Sequence, residues 1–250
     1  MTNKAIQVNE ISKSFGKGKK KKCVLAGDSF EVREKEIFGF LGPNGAGKST
    51  TIKLLLGFLK PDSGSMRVGG KLVGKEEYRH FIGYLPEFPF FYTHLTARET
   101  LMLSGRLSGM KKKDISRRSE ELLSELDLVH ALNQRVGSFS KGMKQRLGMA
   151  NALIHDPAIL IFDEPMSGLD PLGRYLIKDL ILKLKKAGKT VFFSSHILSD
   201  IEELCDQIAL IHSGHLLYAG DLAGFGIKKG GNLESRFIEL ISEECHALTC

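Results

Sequence analysis

Short apolar runs alternate along the chain with longer segments whose apolar residues recur at helical spacing. Residues 158–162 (AILIF) and 36–41 (EIFGFL) are almost wholly apolar, which is typical of strands buried on both faces of a parallel sheet. Residues 50–59 (TTIKLLLGFL) have the apolar spacing of a helix. The same patterns predict further strands at 5–11, 24–32, 65–68, 71–73, 81–85, 190–194, 208–211 and 216–218, and further helices at 141–154, 174–186 and 197–205. The alternation predicts an α/β protein.

A long helical segment interrupts this alternation. The pattern is helical from residue 96 to about residue 132, and Thr96 and Glu99 form a T-x-x-E capping box at its start. We therefore predict one domain over residues 1–220, with a helical subdomain inserted at about residues 88–155. Residues 221–250 are predicted to form a glycine-rich linker and a short helix.

Residues 42–50 (GPNGAGKST) fit the pattern G-x-x-x-x-G-K-[ST] and lie between a predicted strand and a predicted helix. That frame favours a phosphate-binding loop over a chance glycine-rich turn, because backbone amides at a helix N-terminus attract anions. Lys48 is predicted to reach the β- and γ-phosphates, and Ser49 to bind Mg²⁺ through its hydroxyl. The predicted nucleotide-binding residues of the loop are Gly42, Pro43, Asn44, Gly45, Ala46, Gly47, Lys48, Ser49 and Thr50.

Polar side chains follow two of the predicted core strands, at the sheet edge where α/β proteins bind ligands. Asp163 is predicted to hold Mg²⁺, and Glu164 to polarise the water that attacks the γ-phosphorus. His196 follows another strand and is predicted to contact the γ-phosphate. The alternatives are helix capping for the two acids and a structural role for the histidine. The predicted catalytic residues are therefore Lys48, Glu164 and His196.

Composition bounds the class of protein. The chain has 250 residues, of which 42% are hydrophobic and 26% charged, as is ordinary for a globular protein. We expect no transmembrane helix, since apolar runs stay short of about 18 residues, and no signal peptide at the N-terminus. The four cysteines lack metal-type spacing and are expected to be reduced thiols. These features predict a location in the cytoplasm or on the cytoplasmic side of a membrane.

The net charge of +7 permits an acidic partner without demonstrating one. Much of it comes from a cluster at residues 17–22 (KGKKKK) and another at Lys111 to Lys113 with Arg117 and Arg118. Each cluster is expected to be a solvated surface, with anionic lipid head groups as the alternative.

The motifs and their order resemble the ATP-binding cassette ATPases over about residues 5–220. Residues 42–50 match the Walker A segment of that family. The remaining matches are Phe15 to the aromatic residue that stacks on adenine, Glu87 to the position of the Q-loop glutamine, Asp163 and Glu164 to Walker B and the catalytic glutamate, residues 167–170 (SGLD) to the D-loop, and His196 to the switch histidine.

Residues 139–146 (FSKGMKQR) resemble the signature segment, which separates this family from other phosphate-loop proteins. Ser140 and Gly142 offer a hydroxyl and a backbone amide at a helix start, which is a second anion site. Phe139, Lys141 and Met143 depart from the usual Leu-Ser-Gly-Gly-Gln. This form resembles the branch of export-type ATPases made as subunits separate from their permease, where Glu87 in place of glutamine also occurs.

The resemblance implies a P-loop NTPase core with a mixed sheet, a small antiparallel β subdomain and an inserted α-helical subdomain. It implies ATP and Mg²⁺ as cofactors, with Ser49, Glu87 and Asp163 as metal ligands. Two copies would meet head to tail, each ATP lying between the phosphate loop of one and Ser140 and Gly142 of the other. The implied partner is an integral-membrane permease at the cytoplasmic face of the inner membrane, and no nucleic acid is expected.

Two rival functions differ in class. A soluble cassette ATPase acting on DNA or ribosomes would suit the basic charge, but chromosome-type relatives carry a long coiled coil and translation-type relatives carry two cassettes, and this sequence has neither. A non-hydrolytic binding module is disfavoured because all the groups needed for turnover are present.

The aromatic run at residues 88–92 (FPFFY) is expected either to form the core of the insertion or to line a groove for the permease. The transported substrate is not readable, because specificity would lie in the partner.

Overall fold

The computed structural model describes residues 3–75, 77–225 and 233–247. The strands are β1 (Lys4–Phe15), β2 (Lys22–Arg33), β3 (Ile37–Leu41), β4 (Ser63–Val68), β5 (Lys71–Leu72), β6 (Ile82–Leu85), β7 (Ile159–Phe162), β8 (Thr190–Ser195), β9 (Gln207–His212) and β10 (His215–Asp221). The helices are α1 (Lys48–Leu55), α2 (Ala97–Leu107), α3 (Lys112–Glu125), α4 (Lys141–Leu153), α5 (Pro171–Lys186), α6 (Leu198–Leu204) and α7 (Leu233–Ala247). Among the residues described, no helix is long and apolar enough to cross a membrane.

The chain forms two compact units, residues 1–79 with 192–250 and residues 80–191. A six-stranded sheet has the order β10-β9-β3-β8-β7-β6, and the division between the units falls within β8. A separate antiparallel sheet, with the order β2-β1-β4-β5, belongs to the first unit. The α/β class that the alternating pattern predicted is confirmed, and the mixed sheet and small antiparallel sheet agree with what the family resemblance implied.

The core of the first unit is built on a cluster of phenylalanine rings. Phe38 and Phe40 of β3 stack on Phe30 of β2, with ring centroids 5.6 and 5.5 Å apart. Phe192 of β8 lies 5.5 Å from Phe38. All five residues of β3 are buried, as predicted for a strand covered on both faces. The close packing of β3 therefore holds the start of the loop that follows it in a fixed position.

The second unit contains the helical segment. Its β6 and β7 are parallel, and α2, α3 and α4 pack on one another. The capping box is confirmed: Thr96 Oγ1 accepts the Glu99 N–H, and the Glu99 side chain accepts the Thr96 N–H at 2.8 Å. The helical pattern predicted from residue 96 contains α2 and α3, and Gly109, with a positive φ of 81°, lies between them.

The helix predicted at residues 50–59 begins and ends earlier than expected. It runs from Lys48 to Leu55, because Gly47 at φ 119° makes the turn into the helix and Gly57 at φ 67° ends it. The helix predicted near the C-terminus is α7, and the predicted linker before it falls mainly at residues 226–232, outside the described residues.

Asp28 occupies an inward-facing position of β2, in line with the buried Phe30 and Val32. Its Oδ1 accepts the backbone N–H of Leu216 at 2.9 Å, whereas its Oδ2 is buried without a hydrogen-bond partner among the described residues. Burial raises the pKa of this carboxyl from 3.8 to about 6, although the Leu216 hydrogen bond and the charge of His215 act the other way. The ionised form is thus disfavoured in the folded chain.

We expect Asp28→Asn to become progressively more stable than the wild type as the pH rises from 4 to 7.5. A carboxyl with a raised folded-state pKa contributes stability that is lost between its unfolded value and its folded value of about 6, whereas the amide does not titrate. The free-energy difference between the two proteins should shift by about 1 to 2 kcal/mol in favour of asparagine. Thermal unfolding midpoints across the pH range measure it. Asp127→Asn, at a carboxyl 66% exposed, is the control, and an equal shift there would remove burial as the cause.

Candidate functional site

The predicted phosphate loop leaves the buried strand β3 and enters α1. The Gly42 N–H donates to Ser195 O at 3.4 Å, which ties the loop to the end of β8. The Lys48 side chain folds back over the loop, and its ammonium donates to Gly42 O at 2.6 Å and to Pro43 O at 3.3 Å. Lys48 is only 6% exposed, whereas Pro43, Asn44 and Gly45 are exposed. A fixed cation therefore sits beside a loop whose backbone is open to a ligand.

The hairpin turn between β9 and β10 is hydrogen-bonded to this loop, and it was not predicted from the sequence. Ser213 and Gly214, the two residues between β9 and β10, both have positive φ, as a two-residue type I′ turn requires. The Gly214 N–H donates to Ala46 O at 3.0 Å, and Gly214 O accepts the Ala26 N–H at 3.0 Å. The Ser-Gly pair between two strand patterns was the signal that could have found it.

His196 and Phe15 lie in the same unit as the loop. His196 directly follows β8 and is exposed, and the turn after it is held by the Ile197 N–H, which donates to Ser195 Oγ at 3.0 Å. Phe15 ends β1 with its ring 43% exposed. The structure therefore groups the phosphate loop with the end of β8, and places the predicted adenine-stacking ring on the neighbouring hairpin.

The predicted acidic residues lie in the second unit, at one edge of its parallel strands. The Asp163 N–H donates to Leu85 O at 2.8 Å, so Asp163 and the segment leading to Glu87 leave the sheet side by side. Asp163 and Glu164 are only 5% and 8% exposed. Burial, and then the charge of Asp163, raises the pKa of Tyr84 to about 12. Tyr84 therefore stays protonated beside a carboxylate, a neighbour that the sequence did not reveal.

Glu164 has an unusual backbone. Its φ is +49°, in the left-handed region that residues other than glycine rarely adopt, at a cost on the order of 1 kcal/mol. The Ser167 N–H donates to Glu164 O at 3.0 Å, and Gln145 Nε2 donates to Pro165 O at 3.2 Å. Gln145, 2% exposed on α4, thus holds the segment that carries Glu164. Strain held in place by surrounding bonds is typical of functional positions.

The signature residues form the start of α4. Ser140 is the N-cap, and its Oγ accepts the Met143 N–H at 3.2 Å. A Cβ added at Gly142 would meet Leu169 of the predicted D-loop first, at 3.6 Å. Phe139 is buried, and the Lys141 ammonium lies 5.4 Å from the centroid of the Phe88 ring. Ser140 is exposed, so the amides and hydroxyl of this helix start face an accessible surface.

The oxygen donors of the predicted metal site suit Mg²⁺ in kind, because Mg²⁺ prefers hydroxyl, carboxylate and water oxygens. Glu87 and Asp163 follow adjacent parallel strands, and Ser49 is the second residue of α1. In the described part of the chain, no group of three or more histidine, cysteine, aspartate or glutamate side chains could hold a metal by itself. Glu87 and Asp163 of the second unit thus offer carboxylate oxygens, and Ser49 of the first unit offers a hydroxyl, which are the donor types that Mg²⁺ prefers.

The sequence was compared with models of known protein families. Residues 25–167 match the family model for the ABC transporter. The chain belongs to the ABC transporter family. The match spans the phosphate loop, the signature segment and the acidic pair, so the resemblance drawn from these motifs is confirmed.

ATP-binding subunits of transporters are among its relatives. The bacitracin transport ATP-binding protein BcrA of Bacillus licheniformis is 44% identical over 85% of this chain and 68% of its own length. The Nod factor export ATP-binding protein I of Rhizobium sp. (strain N33) is 41% identical over 88% of this chain and 72% of its own length. A solved ATP-binding subunit of an ABC transporter is 33% identical over 95% of this chain and 99% of its own, with a TM-score of 0.85.

These likenesses settle the class of the chain. It is an ATP-binding subunit of the ABC transporter type and an ATPase, and the predicted P-loop NTPase fold is confirmed. An ATP-binding cassette solved as a dimer with ADP and phosphate shares the fold, with a TM-score of 0.81 at 24% identity. The role of each site residue, and the boundaries of the helical insertion, stay predictions.

Proposed function

We propose that this ABC subunit powers an exporter by closing on ATP as a head-to-tail homodimer. The observation that carries the proposal is the exposed start of α4, where Ser140 caps the helix and Gly142 has space around it. A helix start of this kind attracts the same anion as the loop at Lys48, yet it belongs to a different unit of the chain. A second copy would place the two anion sites on opposite sides of one triphosphate.

The site residues have different roles in the proposed hydrolysis. The loop amides and Lys48 bind the β- and γ-phosphates and offset the charge that develops on them. Glu164 accepts the proton of the attacking water, and His196 contacts the γ-phosphate. Ser49, Asp163 and Glu87 would hold Mg²⁺, which supplies charge neutralisation at the phosphate oxygens. Because Ser140 and Gly142 of the other copy need the γ-phosphate, hydrolysis would open the dimer.

The proposed partner is an integral-membrane permease at the cytoplasmic face of the inner membrane. Phe88, Phe90 and Tyr92 are 66%, 89% and 60% exposed, so these rings are not the core of the helical segment. Exposed aromatic groups of this kind suit a groove that receives a membrane-protein helix. The names of the bacitracin and Nod factor relatives support export, and the two lysine clusters suit contact with anionic lipids.

The composite site is tested by mixing two inactive variants. Lys48→Ala should remove phosphate binding. Gly142→Asp should repel the γ-phosphate, and its Cβ would be in ordinary contact with Leu169 at 3.6 Å. Each variant alone should lose at least about 100-fold in ATPase rate, as expected when a preorganised charge contact is removed. A mixed dimer contains one doubly altered site and one intact site. In an equal mixture that pairs at random, half of the dimers are mixed and each has one intact site of two. Mixing should therefore restore about a quarter of the wild-type rate, if both sites are equivalent.

One control completes the test. When a Lys48→Ala/Gly142→Asp double variant is mixed with the wild type, each of the two sites of the mixed dimer carries one substitution. Such a dimer has no intact site, so the activity should come from wild-type dimers alone. Failure of the two single variants to restore activity, when both remain folded and dimerise, would contradict the head-to-tail arrangement. It would leave the ATPase assignment intact.

The net charge of +7 favours a second candidate, a soluble ATPase acting on DNA or ribosomes. Fractionation of cells expressing the chain with its neighbouring genes separates the two. Recovery with membranes at 0.5 M salt supports the transporter, and recovery with ribosomes or DNA supports the alternative.

A further inference from the structure

The Phe15 ring has a positively charged neighbour on its own strand. Lys13 and Phe15 are two residues apart on β1, so their side chains leave the strand on the same side. The Lys13 ammonium lies 5.6 Å from the centroid of the Phe15 ring, within the range of a cation–π contact. The ammonium therefore covers part of one face of the ring.

Asp62 fixes this ammonium. Its Oδ1 accepts from Lys13 Nζ at 2.9 Å, and only 16% of the Lys13 side chain is exposed. The hydrogen bond from Lys13 is the main reason that the pKa of Asp62 is lowered, so the carboxylate stays ionised. The pair is held as charges of opposite sign.

Asp62 also binds the backbone of the same strand at two further points. Its Oδ2 accepts the Ser14 N–H at 2.8 Å, and its own N–H donates to Ser12 O at 2.8 Å. A single residue of the segment between α1 and β4 thus holds three successive residues of β1. The phosphate loop enters α1, so this residue links the strand of the ring to the element that carries Lys48.

We propose that Lys13 and Asp62 are positioning residues for the purine base of ATP, because they hold the Phe15 ring in a fixed orientation with one face covered. A ring fixed before binding loses less rotational freedom when a base stacks on it, which raises affinity. This inference rests on the proposed adenine-stacking role of Phe15. Its effect should fall on the KM for ATP rather than on kcat, since neither residue belongs to the phosphate loop.

The test measures ATPase rates of the purified full chain against ATP concentration. Lys13→Met and Asp62→Asn should each raise the KM about two- to fivefold, the effect of one exposed cation–π contact, with kcat nearly unchanged. Lys13→Arg should restore most of the wild-type KM, because arginine keeps both the charge and the contact. Lys4→Met is the matched control: it removes another ion pair of β1, between Lys4 and Glu31 at 2.5 Å, and should leave the KM unchanged.

Inorganic tripolyphosphate, used as a competitive inhibitor, separates base positioning from a general structural effect. It carries phosphates without a base, so its inhibition constant should be the same for all these variants. A rise in that constant for Lys13→Met or Asp62→Asn would overturn the inference, because the pair would then act through the phosphate loop.

Phe15→Ala distinguishes failure of this inference from failure of its premise. A higher KM in Phe15→Ala, with wild-type values in Lys13→Met and Asp62→Asn, overturns the role of the pair and leaves the stacking role intact. A wild-type KM in Phe15→Ala overturns the stacking role, and the inference with it.

Discussion

Replacing Glu164 with glutamine is expected to lower ATP hydrolysis by about 100- to 1,000-fold, the contribution of a positioned general base. Glutamine keeps the length of the side chain but cannot take the proton of the attacking water. Because ATP still binds, the closed dimer should accumulate. Gel filtration with ATP and Mg²⁺ should show the variant as a dimer, and steady-state phosphate release gives the rate.

Glu125→Gln, at the exposed C-terminal end of α3, is the control for the removal of one negative charge. It should hydrolyse ATP at the wild-type rate and should not form a long-lived dimer. Wild-type turnover by Glu164→Gln would assign the base to another group. A variant that is inactive and monomeric with ATP would point instead to a binding role for Glu164.

The second large effect is expected from Gly42→Ala, at the start of the phosphate loop. A Cβ at this position would lie 2.3 Å from Ile211 O and 2.9 Å from Ile211 Cγ2, closer than atoms can approach. Either the loop or β9 must shift, at a cost of about 1 to 3 kcal/mol for overpacking. The shift would also move Gly42 O, the acceptor of the Lys48 ammonium. We expect a lower unfolding midpoint together with at least about tenfold weaker ATP binding.

Gly45→Ala is the informative comparison in the same loop. Its Cβ would have nothing within 4 Å, but its φ of 82° is unfavourable for alanine. The expected stability loss is therefore only about 1 kcal/mol, the backbone cost alone. Thermal unfolding and titration with ATP measure both variants. A loss in Gly45→Ala as large as that in Gly42→Ala would show that backbone conformation, rather than the contact with β9, controls the loop.

Much of this architecture could be predicted because it rests on local patterns. Buried strands such as β3 and β7 are short apolar runs, and the phosphate loop is fixed by glycines and a lysine at set spacing. The capping box at Thr96 is equally local, since all its partners lie within three residues. Features of this kind need no knowledge of distant contacts.

The features that could not be predicted depend on residues far apart in the sequence. Gly214 holds Ala46, and Gln145 holds Pro165, through bonds across 168 and 20 residues. The buried carboxyl of Asp28 breaks the apolar pattern of β2, and its partner Leu216 lies 188 residues away. Exposure was also unpredictable for Phe88 and Phe90, because an aromatic run has the same pattern whether it faces a core or a partner.

At position 164, the residue that best suits the left-handed backbone differs from the residue that the proposed chemistry needs. Glycine at this position would relieve the strain, so the most easily folded version of this turn has no carboxylate. A search for thermally stable variants would therefore favour loss of the proposed base, and stability gained at residue 164 would be a warning of lost turnover. The chain tolerates a weaker turn at the position of the acid that we propose as the base.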